Sequence, residues 1–348
     1  MRAVIIKEPG DATQLYIGEI PRPTPTDTQV LVKTKCFALN RMDIVQRQGF
    51  YPPPPGASET LGVEISGIVE SIGKNGEIMN KNITKKLTQW FPVTKFKPGD
   101  AVFGLMPGGG YAEYAVIEET LTMLKPEALS FEQAAAIPET WFTAYQALFF
   151  VAELKPGQDV LIHAGASGVG IAAIQLAKQH GARRIFVTVG SDEKCRFCEE
   201  LGATNAINYK TEDWARLIAE ETSQRGVDIV IDFIGKNYWH QNVESLAIDG
   251  RMVILAFMSG YEIEKADLRP LLKKRLRIEA SSLRSRSLDY QGRLRDALYE
   301  DVILGHLAKK DGTLKLFIDR AFDWHDIVKC HEYLESNQSM GKIVVQVV

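Results

Sequence analysis

Histidine is scarce in this chain, and none occurs before His163. The four cysteines, Cys36, Cys195, Cys198 and Cys330, are too few to indicate a disulfide framework in 348 residues. Zinc in proteins is held by cysteine, histidine and carboxylate side chains. The first part of the chain offers one thiol and no imidazole, and the later histidines show no ligand spacing. We therefore expect no zinc site.

Long hydrophobic runs and strong net charge are also missing. No apolar run approaches the roughly 18 residues that span a membrane, and the first residues have a strand-and-turn pattern in place of a signal peptide. The net charge of −3 supplies no field that would attract nucleic acid or an anionic membrane. These absences exclude a secreted disulfide scaffold and a membrane protein. They predict a cytoplasmic globular protein whose partners are small molecules.

The most informative stretch that is present is VLIHAGASGVG, a glycine-rich turn between a strand pattern and a helix pattern. Val160–Ile162 is a short apolar run typical of a buried parallel strand. Gly165, Gly168 and Gly170 follow, and apolar residues then recur at helical spacing. Glycines let the backbone approach a pyrophosphate, and the free amides of a helix start point towards it. A tight turn without a ligand is the alternative, but the flanking strand and helix favour nucleotide binding.

The pattern of the chain changes at Pro138. Residues before it contain many short strand patterns separated by proline and glycine turns, which indicates a partly open β barrel. After it, strand and helix patterns alternate, which predicts a doubly wound parallel α/β sheet. Residues 242–250 are expected to form one of its helices. We expect one domain over 1–138, a second over 139–283, and a return of 284–348 to the first.

The choice of cofactor depends on the end of the second strand of that sheet. A domain that binds NAD places an acidic residue there to hold the ribose hydroxyl, whereas this chain has Gly190 and Ser191, followed by Lys194. A small residue leaves room for a 2′-phosphate, a cation can pair with it, and Tyr209 could add a hydroxyl. Asp192 argues for NAD unless it caps the next helix. The pattern favours NADPH.

Several other features have two explanations. Cys195 and Cys198 form C-x-x-C, but they fall on the expected buried face of a helix, where small apolar residues would also fit. The lysine-rich stretch 74–97 is expected to be a solvated loop. The basic stretch 273–286 could bind a phosphate or nucleic acid, or form a strand with alternate residues in solvent. The segment from Asn40 to Tyr51 is either a solvent loop or the wall of a cleft.

The expected lack of a metal limits the chemistry. Alcohol oxidation must stabilise an alkoxide, which is the task of zinc as a Lewis acid. Hydride transfer to a quinone, or to an alkene conjugated with a carbonyl, instead places the charge on a delocalised oxygen that modest donors can stabilise. A metal-free nicotinamide reductase should therefore act on a planar, electron-poor acceptor.

The chain resembles the zinc-free quinone oxidoreductases of the medium-chain dehydrogenase/reductase superfamily. The motifs that carry the resemblance are ALNRMDIVQRQGFYPPPPGAS, LGVEISGIV, LMPGGGYAEY, AAAIPETWFTAYQAL, VLIHAGASGVGIAAIQLAK, EELGAT with INYK, and SLRSR. The resemblance implies a GroES-like mostly-β catalytic domain, a Rossmann domain, NADPH and a quinone acceptor. It also implies a homodimer joined through the edges of the Rossmann sheets, with the strand in RLRIEASSL pairing.

The resemblance assigns individual residues. Asn40 and Val63 stand where zinc-containing relatives have a cysteine and a histidine ligand, Tyr51 matches a tyrosine of the quinone pocket, and Thr143 matches a threonine near the nicotinamide ribose. Asn40 and Tyr51 are therefore the candidate catalytic residues. The further cofactor positions implied are Ser167, Gly168, Val169, Gly190, Ser191, Lys194, Tyr209, Phe257, Met258, Ser282, Leu283 and Asn337.

Three functions compete at this stage. The leading hypothesis is an NADPH-dependent quinone reductase. An enal or enone reductase on the same scaffold is the near alternative, because the shape of the pocket decides between them. A non-enzymatic NADPH-binding or RNA-binding protein is the distant one, and the near-neutral charge counts against RNA.

Overall fold

The computed structural model describes residues 1–73 and 95–348, so most of the predicted loop at 74–97 lies outside the described residues. The strands are β1 Arg2–Ile6, β2 Leu15–Glu19, β3 Gln29–Ala38, β4 Glu64–Ile72, β5 Ala101–Leu105, β6 Tyr114–Glu118, β7 Thr122–Leu124, β8 Asp159–Ile162, β9 Arg184–Val189, β10 Asn205–Asn208, β11 Val227–Asp232, β12 Leu246–Ile254, β13 Arg277–Ala280, β14 Ile318–Asp323 and β15 Lys342–Gln346. The helices are α1 Arg41–Arg47, α2 Phe131–Ala135, α3 Pro138–Tyr145, α4 Gly168–Gln179, α5 Asp192–Leu201, α6 Trp214–Glu221, α7 Trp239–Ser245, α8 Arg269–Lys274, α9 Leu288–Leu298 and α10 Ile327–Glu335. Two π-helical segments, Gln146–Val151 and Tyr299–Leu307, continue α3 and α9.

The backbone forms two compact units. The first combines Met1–Glu139 with Arg284–Val348, and the second is Thr140–Leu283.

The first unit is built around the long strand β3. It pairs antiparallel with β4, with β6 and with β15, so the last strand of the chain lies beside one of the earliest. The seven-stranded sheet has the order β14-β15-β3-β4-β5-β7, and only β14 and β15 are parallel neighbours. A core of apolar side chains from these strands and from α10 includes Val32, Phe37, Ile65, Ile117 and Val345. The C-terminal segment is therefore part of this unit's core.

The second unit contains a six-stranded sheet in the order β10-β9-β8-β11-β12-β13, and all its neighbours are parallel. The strands β9 and β10 lie on one side of β8, and β11, β12 and β13 lie on the other. This is the doubly wound arrangement in which a dinucleotide binds where the strand order reverses. The strand β8 is buried along its whole length, as its continuous apolar run predicts. The predicted doubly wound parallel sheet is confirmed.

One local prediction was wrong. The segment 242–250 was expected to be helical, but α7 ends at Ser245 and β12 already begins at Leu246. Leu246 and the residues Arg251–Ile254 pair with β11. This pairing outweighs the local helical pattern. The sequence pattern also did not single out β2 and β7, which are short, and two of the five residues of β2 are exposed.

Within the described ranges, no helix combines the length and the hydrophobicity that crossing a membrane would require.

Candidate active site

The glycine-rich turn joins β8 to α4 through a tightly packed backbone. A Cβ on Gly170 would lie 2.5 Å from the carbonyl oxygen of Ala164, and a Cβ on Gly165 would lie 1.9 Å from Cγ1 of Val187. Only glycine fits at either position. Ser167 is the N-cap of α4, and its hydroxyl accepts a hydrogen bond from the amide of Gly170 at 3.1 Å. The predicted pyrophosphate residues thus lie at the start of a helix, where backbone amides attract anions.

Four predicted cofactor residues come together at the end of β9. Ser191 caps α5 by accepting a hydrogen bond from the amide of Lys194 at 3.3 Å. The amide of Tyr209 donates to the carbonyl of Val189, and the Tyr209 hydroxyl lies 2.8 Å from the position a Cβ on Gly190 would take. The Tyr209 side chain is about half exposed. A small residue, a hydroxyl cap, the backbone of Lys194 and a phenol therefore share one corner of the second unit.

Asp192 was considered as a possible ribose-binding acid or as a helix cap. The structure shows that Ser191 is the cap. The carboxylate of Asp192 instead accepts a hydrogen bond from Nδ2 of Asn208 at 2.7 Å. Asp192 is therefore not the helix cap, and its carboxylate is hydrogen-bonded to a residue of β10.

The remaining cofactor candidates of the second unit lie at chain turns and on α3. Oγ1 of Thr143 is buried and has no hydrogen-bond partner among the described residues. Phe257 and Met258 follow β12 and are about half exposed. Ser282 and Leu283 follow β13, and Leu283 is buried while Ser282 is exposed.

Asn337 belongs to the first unit, whereas the other cofactor candidates belong to the second. It follows α10 with a backbone φ of 57°, and its Oδ1 accepts a hydrogen bond from Arg41 at 2.5 Å.

The residues of the second unit fit a nicotinamide dinucleotide. The glycine turn brings a helix start to the switch point of the sheet, and the partnerless Thr143 hydroxyl can serve a ligand. The corner formed by Ser191, Lys194 and Tyr209 supplies donors for an anionic group.

The first unit contains a buried polar network centred on Lys342. Its Nζ donates hydrogen bonds to Oδ1 of Asn40, to Oε1 of Glu64 and to the carbonyl of Leu39, each at 2.7 Å. Nδ2 of Asn40 also donates to Oε1 of Glu64, at 2.8 Å. The Glu64 and Lys342 side chains are 0% and 7% exposed, so this is a buried ion pair with a bridging amide. Asn40 uses both ends of its side chain inside this network.

Asp43 contacts the same network through Asn40. One carboxylate oxygen accepts hydrogen bonds from the backbone amide of Asn40 at 2.8 Å and from the hydroxyl of Tyr111 at 3.0 Å. Burial raises the pKa of Asp43 to about 6, although these two hydrogen bonds favour the charged form. Asp43 therefore holds the start of α1 and fixes Asn40.

Tyr51 lies beside an arginine that sequence reasoning did not assign. The guanidinium of Arg284 lies 5.4 Å from the centre of the Tyr51 ring. It donates to Oε1 of Gln46 at 3.2 Å and to the carbonyl of Pro107 at 2.8 Å. These contacts hold a half-buried aromatic ring and a cation side by side on the first unit.

Glu139 is the second residue of α3 and contacts the same network. Its backbone amide donates to Oε2 of Glu64 at 2.8 Å. Burial, with the neighbouring Glu64 and Asp43 carboxylates, raises the pKa of the Glu139 carboxyl to about 7, and Lys342 and Arg284 only partly oppose the shift. The pKa of the Glu139 carboxyl is therefore raised above the usual range of a glutamate.

Sequence reasoning missed Glu64, Lys342, Arg284 and Glu139. A signal was present for the first two, because each is a charged residue at the start of a strand whose next residues are mostly buried. A charge placed in a core must be paired. The sequence does not show that the partners are each other.

The cysteine and histidine positions carry no metal cluster. Over residues 1–73 and 95–348, no group of three or more histidine, cysteine or acidic side chains is placed to hold a metal ion. Burial raises the pKa of Cys195 to about 11 and that of Cys198 to about 12, so both are neutral thiols that pack against the protein. The buried imidazole of His163 bonds to Thr188 at 2.8 Å and to Asn242 at 2.7 Å, which is a packing role.

The first unit has a mostly antiparallel sheet that includes the C-terminal strands, and the second has a doubly wound parallel sheet. These two kinds of domain together define the medium-chain dehydrogenases and reductases. A family profile for an "Alcohol dehydrogenase GroES-like domain" matches residues 26–127, and one for a "Zinc-binding dehydrogenase" matches residues 168–298. The human protein named quinone oxidoreductase is 32% identical over 269 residues, which cover 77% of this chain and 76% of that protein.

Solved structures agree with this assignment. The quinone oxidoreductase of Escherichia coli, solved as a complex with NADPH, has 28% identity, coverage of 99% of both chains and a TM-score of 0.83. An enoyl reductase, CurK, has 26% identity, coverage of 99% of this chain and 98% of that one, and a TM-score of 0.84. The chain belongs to the quinone oxidoreductase family of the medium-chain dehydrogenase/reductase superfamily, and it has an oxidoreductase fold.

Proposed function

We propose that this protein reduces quinones with NADPH and without zinc. The relatives named quinone oxidoreductase and the Escherichia coli structure with NADPH support the reaction class and the cofactor. In this chain the cofactor would be held at its pyrophosphate by the start of α4, and at its 2′-phosphate by Ser191, Lys194 and Tyr209. A bound reduced nicotinamide would supply the hydride.

The observation that carries the choice of a metal-free reaction is the position of Lys342. The resemblance places Asn40 and Val63 at positions where zinc-containing relatives have ligands. Here Asn40 is an amide whose Oδ1 bonds to the Lys342 ammonium group at 2.7 Å. An amide and an aliphatic side chain are poor zinc ligands, and the buried ammonium group beside the amide repels a second cation. Without a Lewis acid, a quinone is the acceptor that needs least stabilisation.

The same unit offers a place for a planar acceptor. The Tyr51 ring and the Arg284 guanidinium are both flat, and a quinone ring can stack on either. Arg284 is fixed by Gln46 and Pro107, so it would orient a quinone oxygen without a large loss of side-chain entropy. Asn40 is the other predicted catalytic residue. Because its side chain is bonded to Lys342 and Glu64, it would act on the reaction through these two residues.

The test is NADPH oxidation by the purified protein with ortho-quinones, para-quinones and enals, each repeated with NADH and after chelator treatment. We expect turnover of quinones, preference for NADPH, full activity after chelation and no stoichiometric zinc by elemental analysis. Loss of activity on chelation, restored by zinc, would contradict the metal-free reaction. The Glu127→Gln variant, changed at an exposed position of the first unit, serves as a preparation control.

A second candidate is reduction of a conjugated carbon–carbon double bond. The likeness to the CurK enoyl reductase favours it. Turnover of enals with no turnover of any quinone would select this function over the first.

We also propose that the chain forms a homodimer through the edge of its Rossmann sheet. The strand β13 lies at that edge beside β12, and three of its four residues are exposed. Light scattering should give twice the mass of one chain, and Ile278→Pro in β13 should give the monomer mass. A monomeric wild-type protein would exclude this proposal.

A further inference from the structure

We propose that Ser259 is a positioning residue that fixes where the nicotinamide half of NADPH lies. The inference rests on the proposed function, because it concerns the cofactor of that reaction. All the contacts that carry it lie within the second unit, Thr140–Leu283. They join two turns at the carboxyl edge of the six-stranded sheet, the β11 turn (residues 233–237) and the β12 turn (residues 255–260).

The order of the strands places these two turns in the path of a dinucleotide. A dinucleotide lies across the carboxyl ends of the strands of a doubly wound sheet and crosses it where the strand order reverses. Here the reversal lies between β8 and β11. The proposed 2′-phosphate site follows β9, on one side of β8, and the proposed pyrophosphate site follows β8 itself. The remaining half of the cofactor therefore extends over the ends of β11 and β12.

Backbone hydrogen bonds hold the two turns against each other. The amide of Ser259 donates to the carbonyl of Ile234 at 2.9 Å, and the amide of Lys236 donates to the carbonyl of Gly260 at 2.9 Å. A Cβ on Gly235 would lie 2.8 Å from the carbonyl oxygen of Gly260. The turns thus approach each other so closely that no side chain fits between them at this point.

The hydroxyl of Ser259 adds a side-chain bridge between the turns. Its Oγ donates to the carbonyl of Ile234 at 2.7 Å and accepts a hydrogen bond from the amide of Asn237 at 3.0 Å. A serine hydroxyl can do both, because it is a donor and an acceptor at once. One hydroxyl on the β12 turn therefore fixes both ends of the β11 turn.

A buried acid supports the β11 turn from its other side. Asp232 is the last residue of β11 and is 1% exposed. Its carboxylate accepts hydrogen bonds from the amides of Ile234 at 2.8 Å and of Gly235 at 3.1 Å. These bonds shape the β11 turn but do not reach the β12 turn. Among the described residues, Ser259 is the one whose side chain hydrogen-bonds from one turn to the other.

The bridge controls the apolar surface that the β12 turn offers to a ligand. Phe257 and Met258 directly precede Ser259, and both side chains are about half exposed. The ring of Phe257 also packs on the β11 turn, with Cδ1 3.0 Å from the position of a Cβ on Gly235. Exposed apolar side chains beside backbone polar groups are typical of a cofactor site. A shift of the β12 turn would move this surface, and with it the nicotinamide.

Thr222 provides a matched control at the opposite edge of the same sheet. Its hydroxyl donates to the carbonyl of Ile218 at 2.7 Å and accepts from the amide of Gly226 at 3.0 Å, just before β11 begins. Thr222 is 4% exposed, so it is at least as important for packing as Ser259. The amino ends of the strands do not face the dinucleotide. Loss of this hydroxyl therefore changes stability alone.

The test is calorimetric titration of the wild type, Ser259→Ala, Ser259→Thr and Thr222→Val with two probes. One is NADPH, and the other is 2′,5′-ADP, which carries the 2′-phosphate but no nicotinamide. Ser259→Ala should raise the Kd for NADPH by about tenfold and leave the Kd for 2′,5′-ADP within about twofold, because two hydrogen bonds are lost only at the nicotinamide end. Ser259→Thr keeps the hydroxyl and should bind both probes as the wild type does. Thr222→Val should lower the melting temperature but leave both Kd values unchanged.

A second measurement uses the cofactor-free protein. Hydrogen exchange at the Asn237 amide should be faster in Ser259→Ala and unchanged in Thr222→Val. An unchanged Kd for NADPH in Ser259→Ala would overturn the proposal. So would an equal weakening of NADPH and 2′,5′-ADP, since the hydroxyl would then act on the unit as a whole. Wild-type protein that binds NADPH but reduces no quinone would instead overturn the proposed function.

Discussion

Replacement of Lys342 by methionine tests the buried network most directly. Methionine keeps the approximate length of the side chain but removes three hydrogen bonds, to Leu39, Asn40 and Glu64. It also leaves the Glu64 carboxylate without its counter-ion. Breaking one side of a buried ion pair costs about 3–5 kcal/mol. Because Glu64 keeps the amide donors of Asn40 and Glu139, we expect a loss of about 3 kcal/mol in the free energy of unfolding.

The assay is urea unfolding of the wild type, Lys342→Met, Glu64→Gln and the double variant. The double variant should lose less than the sum of the two single losses, because a neutral amide no longer needs the ammonium group. Lys329→Met is the matched control, since Lys329 also pairs with an acid at 2.7 Å but its side chain is 73% exposed. It should cost below about 1 kcal/mol. Equal losses for Lys342→Met and Lys329→Met would refute the reasoning.

Two further predictions concern the proposed ligand contacts. Lys194→Ala should raise the KM for NADPH by at least about tenfold while the KM for NADH changes by less than about twofold, because only NADPH carries the 2′-phosphate that the ammonium group would bind. An equal rise of both KM values in steady-state kinetics would exclude Lys194 from that role. Tyr51→Ala should raise the KM for a quinone by about tenfold, with the KM for NADPH near the wild-type value, because it removes a stacking face worth about 1 kcal/mol or more. Tyr51→Phe should keep most of the affinity, and an unchanged quinone KM in Tyr51→Ala would exclude the tyrosine from the acceptor site.

Much of the architecture could be predicted because it is encoded over short stretches. The turn at Gly165 and Gly170 requires glycine for steric reasons that lie within a few residues, and the flanking run and helical spacing are local patterns. The alternation of strands and helices in the second unit follows from such patterns as well. The prediction failed at 246–250, where pairing of β12 with β11 decides the conformation.

The assignment of the cofactor corner shows how far local reasoning extends. Gly190, Ser191 and Lys194 are close in sequence, so their proximity could be expected. The role of Asp192 could not, because its partner Asn208 belongs to the next strand. Which of two adjacent residues caps a helix depends on backbone angles that the sequence pattern does not reveal.

The acid–base part of the candidate site was decided by tertiary structure alone. Lys342 and Glu64 are 278 residues apart, and Arg284 is 238 residues from Gln46. Each residue by itself is an ordinary charged side chain in the sequence. The antiparallel pairing of β15 with β3 and of β3 with β4 brings them together in a core. The raised pKa of Glu139 depends on that burial, because desolvation acts on a group only after distant segments have enclosed it.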